Sequence, residues 1–230
     1  PENALYLPET DQNIFPVIYL QVVEGLRPDV TLGRKYGYLE ASLYADMPEA
    51  QRAAIGPFPR GRDEPAIFDW LLRRTDRPVY FERPPQPSAD GAWRFVPHGF
   101  LYRAVKKGET WSGGDPWAFY DWGAHPPEDG RQTYEASLIL FTFGLAKARD
   151  ALLADDAQEA ARWTTYALDA YGREPKSLNA AGVVWAKAAR FDAARDYLDA
   201  ALAIDPDHAP ALRNRQQAEA AQVAGEKGKG

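Results

Sequence analysis

The chain has 230 residues, 45% of them hydrophobic and 13% aromatic, which is enough apolar mass for one large core or two modest ones and excludes a disordered chain. Its 27 basic and 33 acidic residues give a net charge of −6 and a pI near 5.2, a poor match to nucleic acid or to an anionic membrane surface. The absence of cysteine removes disulfides, thiolate metal sites and cysteine nucleophiles. The three histidines, His98, His125 and His208, stand too far apart for a histidine-built zinc motif.

From the N-terminus, Ala4 to Leu7 is a short apolar run that reads as a strand. The polar stretch Glu9-Thr10-Asp11-Gln12-Asn13 follows, and then a helical stripe at Phe15, Ile18, Tyr19, Val22, Val23 and Leu26. Pro16 is tolerated early in such a helix, and Asp11 or Asn13 is the expected cap. Gly25 and Arg27-Pro28-Asp29 end the helix, and Val30 to Leu32 resumes as a strand. A strand–helix–strand unit of about thirty residues predicts parallel pairing. A second helix is predicted from about Glu64, capped by Asp63, with Ile67, Phe68, Leu71 and Leu72 on one face and Arg73 and Arg74 at its C-terminus. Val79-Tyr80-Phe81 reads as a third strand. Phe95-Val96 and Phe100 to Val105 read as an edge hairpin.

Composition then changes. Sixteen of the 19 prolines precede residue 131, whereas 26 of 38 alanines follow residue 130. The segment Ala124-His125-Pro126-Pro127-Glu128-Asp129-Gly130 cannot continue a helix and marks a boundary. The expected organisation is a small, mainly parallel α/β domain over 1–126, an all-α tetratricopeptide-like region over 127–224 and a disordered tail over 225–230. In the helical region, Leu178, Gly182, Trp185, Ala194, Leu198, Ala201 and Pro206 fall on the tetratricopeptide signature, with Ala181 as its one departure. Gly182 and Ala194 are small where two helices cross, Trp185 and Leu198 fill the space beside the crossing, and Pro206 stops the second helix. A degraded earlier repeat runs from about Tyr134 to Pro175, with Gly144, Ala160 and Ala167 as counterparts and roughly four inserted residues between Gly144 and Ala160. A polar capping helix is expected over about Ala209 to Val223. Two repeats fall short of the ~3 that an independent array needs, so this array is expected to lean on the α/β domain or on a partner.

Two segments carry candidate chemistry. The loop holding Glu9, Asp11 and Asn13 follows a strand and opens a helix, where ligands bind in parallel α/β folds, and its carboxylates can hold a divalent cation. Helix capping alone explains the same residue types. The second is aromatic: Trp111, Trp117, Tyr120 and Trp122, with Asp121, can stack on sugar faces, hold a partner segment or plug a domain joint. Neither phosphate-loop spacing is present, the Gly113-Gly114 pair reads as a turn, and spacing assembles no nucleophile–base–acid set. No cofactor or metal is expected.

The stretch from Asp11 to Val30 resembles a family of multi-pass membrane proteins, long of unknown function, whose eukaryotic members include an O-mannosyltransferase of the type-C glycosyltransferase class. The family motif reads G-D-N-D-T-F-P, then an aromatic helix, then R-P-D-V. Asp11, Phe15, Pro16, Tyr19, Gln21, Glu24, Arg27, Pro28, Asp29 and Val30 agree with it, while Thr10, Asn13 and Ile14 replace its glycine, second aspartate and threonine. Arg77-Pro78-Val79-Tyr80-Phe81, Gly99-Phe100-Leu101-Tyr102-Arg103 and Tyr120-Asp121-Trp122-Gly123 are similar to its later blocks, and helical repeats also occur at its C-terminus. In that class the catalytic acid lies between transmembrane helices, and no apolar run here approaches the ~18–20 residues of a span. The chain also opens at Pro1 without an initiator Met or signal peptide, as a segment of a longer protein or a processed chain would. The resemblance therefore implies an extracytoplasmic, non-catalytic accessory domain. Its partners would be the membrane-embedded part of the same polypeptide and a peptide, protein or glycan acceptor, with no nucleic acid. Two alternatives stand beside it: a tetratricopeptide adaptor, and a soluble α/β enzyme using Glu9 and Asp11.

Overall fold

The computed structural model describes residues 1–35, 38–55, 64–86, 90–118 and 134–227. The chain divides into two compact units, Pro1–Phe119 and Tyr120–Gly230. The boundary expected at 126/127 and the Asp63 cap lie outside the described residues.

The first unit runs β1 (Leu5–Leu7), α1 (Asp11–Val22), β2 (Thr31–Leu32), β3 (Arg34–Lys35), β4 (Tyr38–Leu39), α2 (Glu49–Arg52), α3 (Glu64–Arg74), β5 (Val79–Phe81), β6 (Trp93–His98) and β7 (Leu101–Lys106). Its main sheet has the order β2-β1-β5-β7-β6. β2, β1 and β5 are parallel, and β7 and β6 are antiparallel. The expected α/β unit with parallel pairing of the first two strands is present. The small β3–β4 hairpin has no counterpart in the sequence reading, because strands of two residues leave no periodic signal. At the β6–β7 turn, Gly99 takes the left-handed backbone (φ 62°) that a two-residue hairpin loop requires.

All three residues of β1 are buried, since β1 is flanked on both edges and covered on both faces. One face packs Leu5, Leu7, Val79, Phe81 and Ala104 against Ile67, Phe68, Leu71 and Leu72 of α3, the four residues the sequence placed on one helix face. Phe68 and Phe95 each meet Phe81 edge-on, at 5.2 and 5.4 Å. The other face packs Ala4, Tyr6, Leu32 and Tyr80 against Val17 and Ile18 of α1. Here the predicted stripe needs correction. The inward face of α1 is Ile14, Val17, Ile18 and Gln21, with Ile14 1% exposed. Phe15, Tyr19, Val22, Val23 and Leu26 point outward, Val22 being 78% exposed. The side-chain amide of Gln21 decides the rotation by donating to the carbonyls of Arg27 (3.0 Å) and Val30 (2.6 Å), which holds this helix face against the returning chain.

The second unit contains α4 (Tyr134–Leu153), α5 (Ala157–Tyr171), α6 (Pro175–Lys187), α7 (Phe191–Ile204) and α8 (Ala209–Lys227). α4 pairs with α5 and α6 with α7, and α8 lies on α7 and α6. Corresponding points recur every 34 residues: the helix ends Leu153 and Lys187, the left-handed turn residues Asp155 and Ala189, and the helix starts Ala157 and Phe191. Pro175 and Ala209 begin helices at the same interval. That is the tetratricopeptide period. It corrects the expected insertion, because the earlier repeat has none. Its counterpart of Gly182 is Ala148, which is fully buried, and Gly144 makes a separate close approach one helical turn earlier, against Ala167 and the Trp163 carbonyl.

Leu178, Ala181, Leu198 and Ala201 share one buried cluster, Trp185 and Ala194 another. Thr164 is fully buried between the repeats; its hydroxyl donates to the Ala160 carbonyl (2.8 Å) and accepts from the Trp185 indole N–H (3.0 Å). Arg190 and Asp155 pair the two interhelix turns. α8 carries Gln216 and Glu219 where α6 carries Gly182 and Trp185, so it has no seat for a following helix, as a capping helix requires. It continues through Gly225 to Lys227, beyond the predicted end, because Ala224, Glu226 and Lys227 are strong helix formers.

A Cβ on Gly182 would lie 2.6 Å from Leu198 Cγ and 3.1 Å from the Ala194 carbonyl. Gly182→Leu is therefore expected to cost more than ~2 kcal/mol by overpacking, measured by denaturant unfolding of the purified chain. An unchanged midpoint would refute the register. Thr164→Val keeps the shape but leaves a buried indole N–H without an acceptor, and should cost about 1–3 kcal/mol in the same assay.

Candidate functional site

The polar loop after β1 is organised by a residue from another strand end. Glu82 follows β5, and its carboxylate accepts the backbone N–H of Glu9 (2.7 Å) and Thr10 (3.1 Å) and the Thr10 hydroxyl (3.1 Å). Thr10, in extended conformation, is the N-cap of α1. Its carbonyl accepts the amides of Asn13 and Ile14, and its hydroxyl accepts from the Asn13 side chain (3.2 Å). The cap expected at Asp11 or Asn13 thus sits one residue before the first of them. Asp11 is the first helical residue, exposed, where its charge complements the helix dipole. Glu9 is also exposed and faces Arg83 at 3.7 Å. Burial acts to raise the Glu82 pKa, but the hydrogen bonds from Glu9, Asn13 and Thr10 together outweigh it and hold the carboxyl below its ordinary value. Burial, with the charge of Glu82 second, pushes the Tyr6 phenol well above the usual tyrosine range.

Of the polar residues that carry the family resemblance, Tyr19, Gln21, Glu24, Arg27, Asp29 and Arg77 are bonded internally. Arg27 forms a bidentate pair with Asp29 (2.8 Å to each oxygen), and Asp29 also accepts the Asn3 amide (2.7 Å). The Tyr19 hydroxyl donates to Glu24 (2.9 Å). Arg77 donates to the carbonyls of Asn3 and Ala4 and to the Thr31 hydroxyl (2.7 Å), locking the start of β5 to β1 and β2.

Of the aromatic segment, Trp117 is buried, 7% exposed, edge-on to Phe100 at 5.4 Å, and is therefore core. Tyr120, Asp121 and Trp122 lie outside the described residues. Trp111 is half-buried, edge-on to His98 at 5.1 Å, with the Arg103 guanidinium 5.8 Å from its ring. Gly113 permits this: a Cβ there would lie 2.3 Å from the indole and 2.8 Å from His98. The same Arg103 stands 5.3 Å from the ring of Tyr80. Burial raises the Tyr80 phenol, and the neighbouring guanidinium pulls it back in part.

Trp111 also lines a cavity of about 170 Å³ with Asp76, Trp93, Arg103, Lys106 and Glu109. The cavity lies at the amino end of β5, opposite the polar loop. The β5–β7 ladder ends at the Tyr80–Arg103 pair, whereas β7 continues with β6 to Lys106. The Nε atoms of Arg103 and Trp93 in its wall are buried with no hydrogen-bond partner. The Lys106 ammonium stands 5.9 Å from the Trp93 ring. Sequence reading found Trp111 alone of this group. The detectable signal was Arg103 and Lys106 interrupting a strand of otherwise apolar character.

Among the described residues, no group of three or more histidine, aspartate or glutamate side chains is placed to hold a metal ion, and no helix is long and apolar enough to cross a membrane. Comparison with known protein families, with curated proteins and with solved structures finds no match to this chain.

Because the folded pKa of Glu82 is depressed, its stabilisation is complete above the ordinary glutamate value of 4.5 and is lost as pH falls through the lower folded value. Glu82→Gln should remove that part of the acid dependence and cost about 1–2 kcal/mol at pH 7, since the acceptor loses its charge. Asp11→Ala and Asp11→Ser should each stay within ~0.5 kcal/mol of the parent, as only a helix-end charge changes. Paired urea titrations at pH 7 and pH 4 check both expectations.

Proposed function

We propose that this chain is a non-catalytic accessory domain of a membrane-embedded, glycosyltransferase-like protein, which holds or positions an acceptor at the extracytoplasmic face. The observation that carries the reading is the outward face of α1. Phe15, Tyr19, Leu20, Val22 and Val23, with Leu26 just beyond the helix, form an exposed apolar surface. Of the polar residues of the same stretch, Tyr19, Gln21, Glu24, Arg27 and Asp29 are taken up by internal hydrogen bonds. Apolar side chains grouped on one helix face mark an interaction surface rather than a solvated one. The resemblance supplies the occupant, the apolar membrane-embedded part of the same polypeptide. Glu9 and Asp11, both exposed and the former beside Arg83, do not favour the enzyme reading.

A second reading, a tetratricopeptide adaptor that binds a peptide or partner protein, is favoured by the 34-residue recurrence of turns and helix starts. The two readings separate by cross-linking in cells. A photoreactive phenylalanine analogue at Val22 should attach to an apolar spanning segment encoded in the same open reading frame, and one at Asn179 on α6 should not. Attachment of the Val22 probe to an unrelated soluble protein, or a reading frame with no apolar spans, would overturn the accessory reading.

A further inference from the structure

We infer that the exposed face shared by α6 and α8 is a docking surface for an acidic peptide segment in extended form. The inference rests on the adaptor reading above and gives its partner a chemical class.

Helix geometry places the face. The buried residues of α6 are Ser177, Leu178, Ala181, Gly182 and Trp185. At about 100° per residue, Lys176, Val183 and Lys187 fall together on the opposite side, within about 40° of one another. α6 and α8 lie side by side, and stacked repeats turn such equivalent helices toward their partners. The two helices meet at the edge of this face through the side chains of Asn179 and Asn214, which are 2.8 Å apart. Arg213 stands next to that contact, exposed.

Charge selects the sign of the occupant. The chain carries a net charge of −6, yet α6 has no acidic residue and α8 has none before Glu219. Lys176, Lys187 and Arg213 are exposed and make no ion pair among the described residues. Arg215 of α8 is already paired with Asp199 at 2.6 Å. The nearest acids in the chain, Glu174 and Asp207, precede the two helices, Glu174 as the N-cap of α6. By contrast, α7 carries Asp192, Asp196 and Asp199 against Arg195 alone. Three unpaired cations on one face of an acidic chain attract a segment of opposite charge and steer it there.

The amide pair selects a peptide. The Asn214 amide donates to the Asn179 side-chain oxygen, which leaves the Asn179 amide group and the Asn214 oxygen without partners among the described residues. This half-buried pair therefore presents one donor and one acceptor, the complement of a peptide group. Lys176 and Lys187 are about 16 Å apart along the helix axis, the reach of about five extended residues, with Val183 as an apolar floor between them. The net charge of the chain opposes a long polyanion such as nucleic acid.

The test is an array of random-sequence octapeptides probed with the whole chain, followed by fluorescence anisotropy on the tightest binder. The bound peptides should be enriched in Asp and Glu, and raising salt from about 50 to about 300 mM should weaken binding at least tenfold. Lys176→Gln, Lys187→Gln and Arg213→Gln should each weaken it about threefold, and the three together more than tenfold, with the circular dichroism of the chain unchanged. Asn214→Ala should weaken binding without altering its salt dependence. Enrichment of basic or apolar peptides, absence of any bound peptide, affinity unmoved by the triple substitution, or tighter binding of octathymidylate than of the acidic peptides would overturn the inference. Basic or apolar enrichment leaves the adaptor reading standing. That reading falls instead if the photoreactive probe at Asn179 captures no protein in cells.

Discussion

The carboxylate of Glu82 holds the first unit in its working arrangement. It lies at the end of β5, yet it bonds the backbone of Glu9 and Thr10 beyond β1, 73 and 72 residues away in sequence. By fixing the Glu9–Thr10 backbone it fixes where α1 begins. The start of a helix sets the azimuth of every later residue at about 100° per position, so a displaced start would turn a different stripe inward. With Thr10 as N-cap, Ile14, Val17, Ile18 and Gln21 face the sheet, and the larger apolar stripe is left outside. The exposed face that carries the functional proposal follows from that carboxylate at the start of the helix together with the Gln21 amide near its end.

The second unit rests on a steric constraint. Helices that cross closely need small residues at the crossing, and Gly182 against Ala194, like Gly144 against Ala167, provides them. The interhelix turns demand a left-handed residue, taken by Asp155 and Ala189 at matching positions. Neither is glycine, so each carries local strain that the surrounding helix packing must offset. The buried Thr164–Trp185 hydrogen bond adds polar specificity between repeats that are otherwise joined by apolar contact.

The cavity arises from the way the sheet is assembled. Parallel strands β1 and β5 give way to the antiparallel β7–β6 hairpin, and β7 outruns its ladder with β5. The end left unpaired is lined by the α3–β5 loop, the start of β6, the end of β7 and the segment after it. This places the cavity at the amino end of the parallel strands, away from the carboxyl end where such folds usually bind ligands. At the carboxyl end, Glu82 is saturated by structural hydrogen bonds and the loop carboxylates face solvent.

By itself the sequence determined what short-range physics determines. Periodicity marked α3 and its four buried residues. The apolar runs marked β1, β5 and the β6–β7 hairpin, and the spacing of Gly182, Trp185, Ala194 and Pro206 marked the helical repeat. Each of these signals lies within one or two elements, where side-chain period and backbone preference act directly. The tertiary structure alone decided the rest. Thr10 rather than Asp11 caps α1 because Glu82 reaches it from a distant strand, and the inward face of α1 follows from Gln21 meeting the chain as it returns to β2. The 34-residue frame of the first repeat is set by where its turns fall, which Gly144 by itself misplaces. Asp76, Trp93, Arg103, Glu109 and Trp111 meet at one cavity only because strand order brings four segments together, and no spacing along the chain encodes a contact that strand pairing creates.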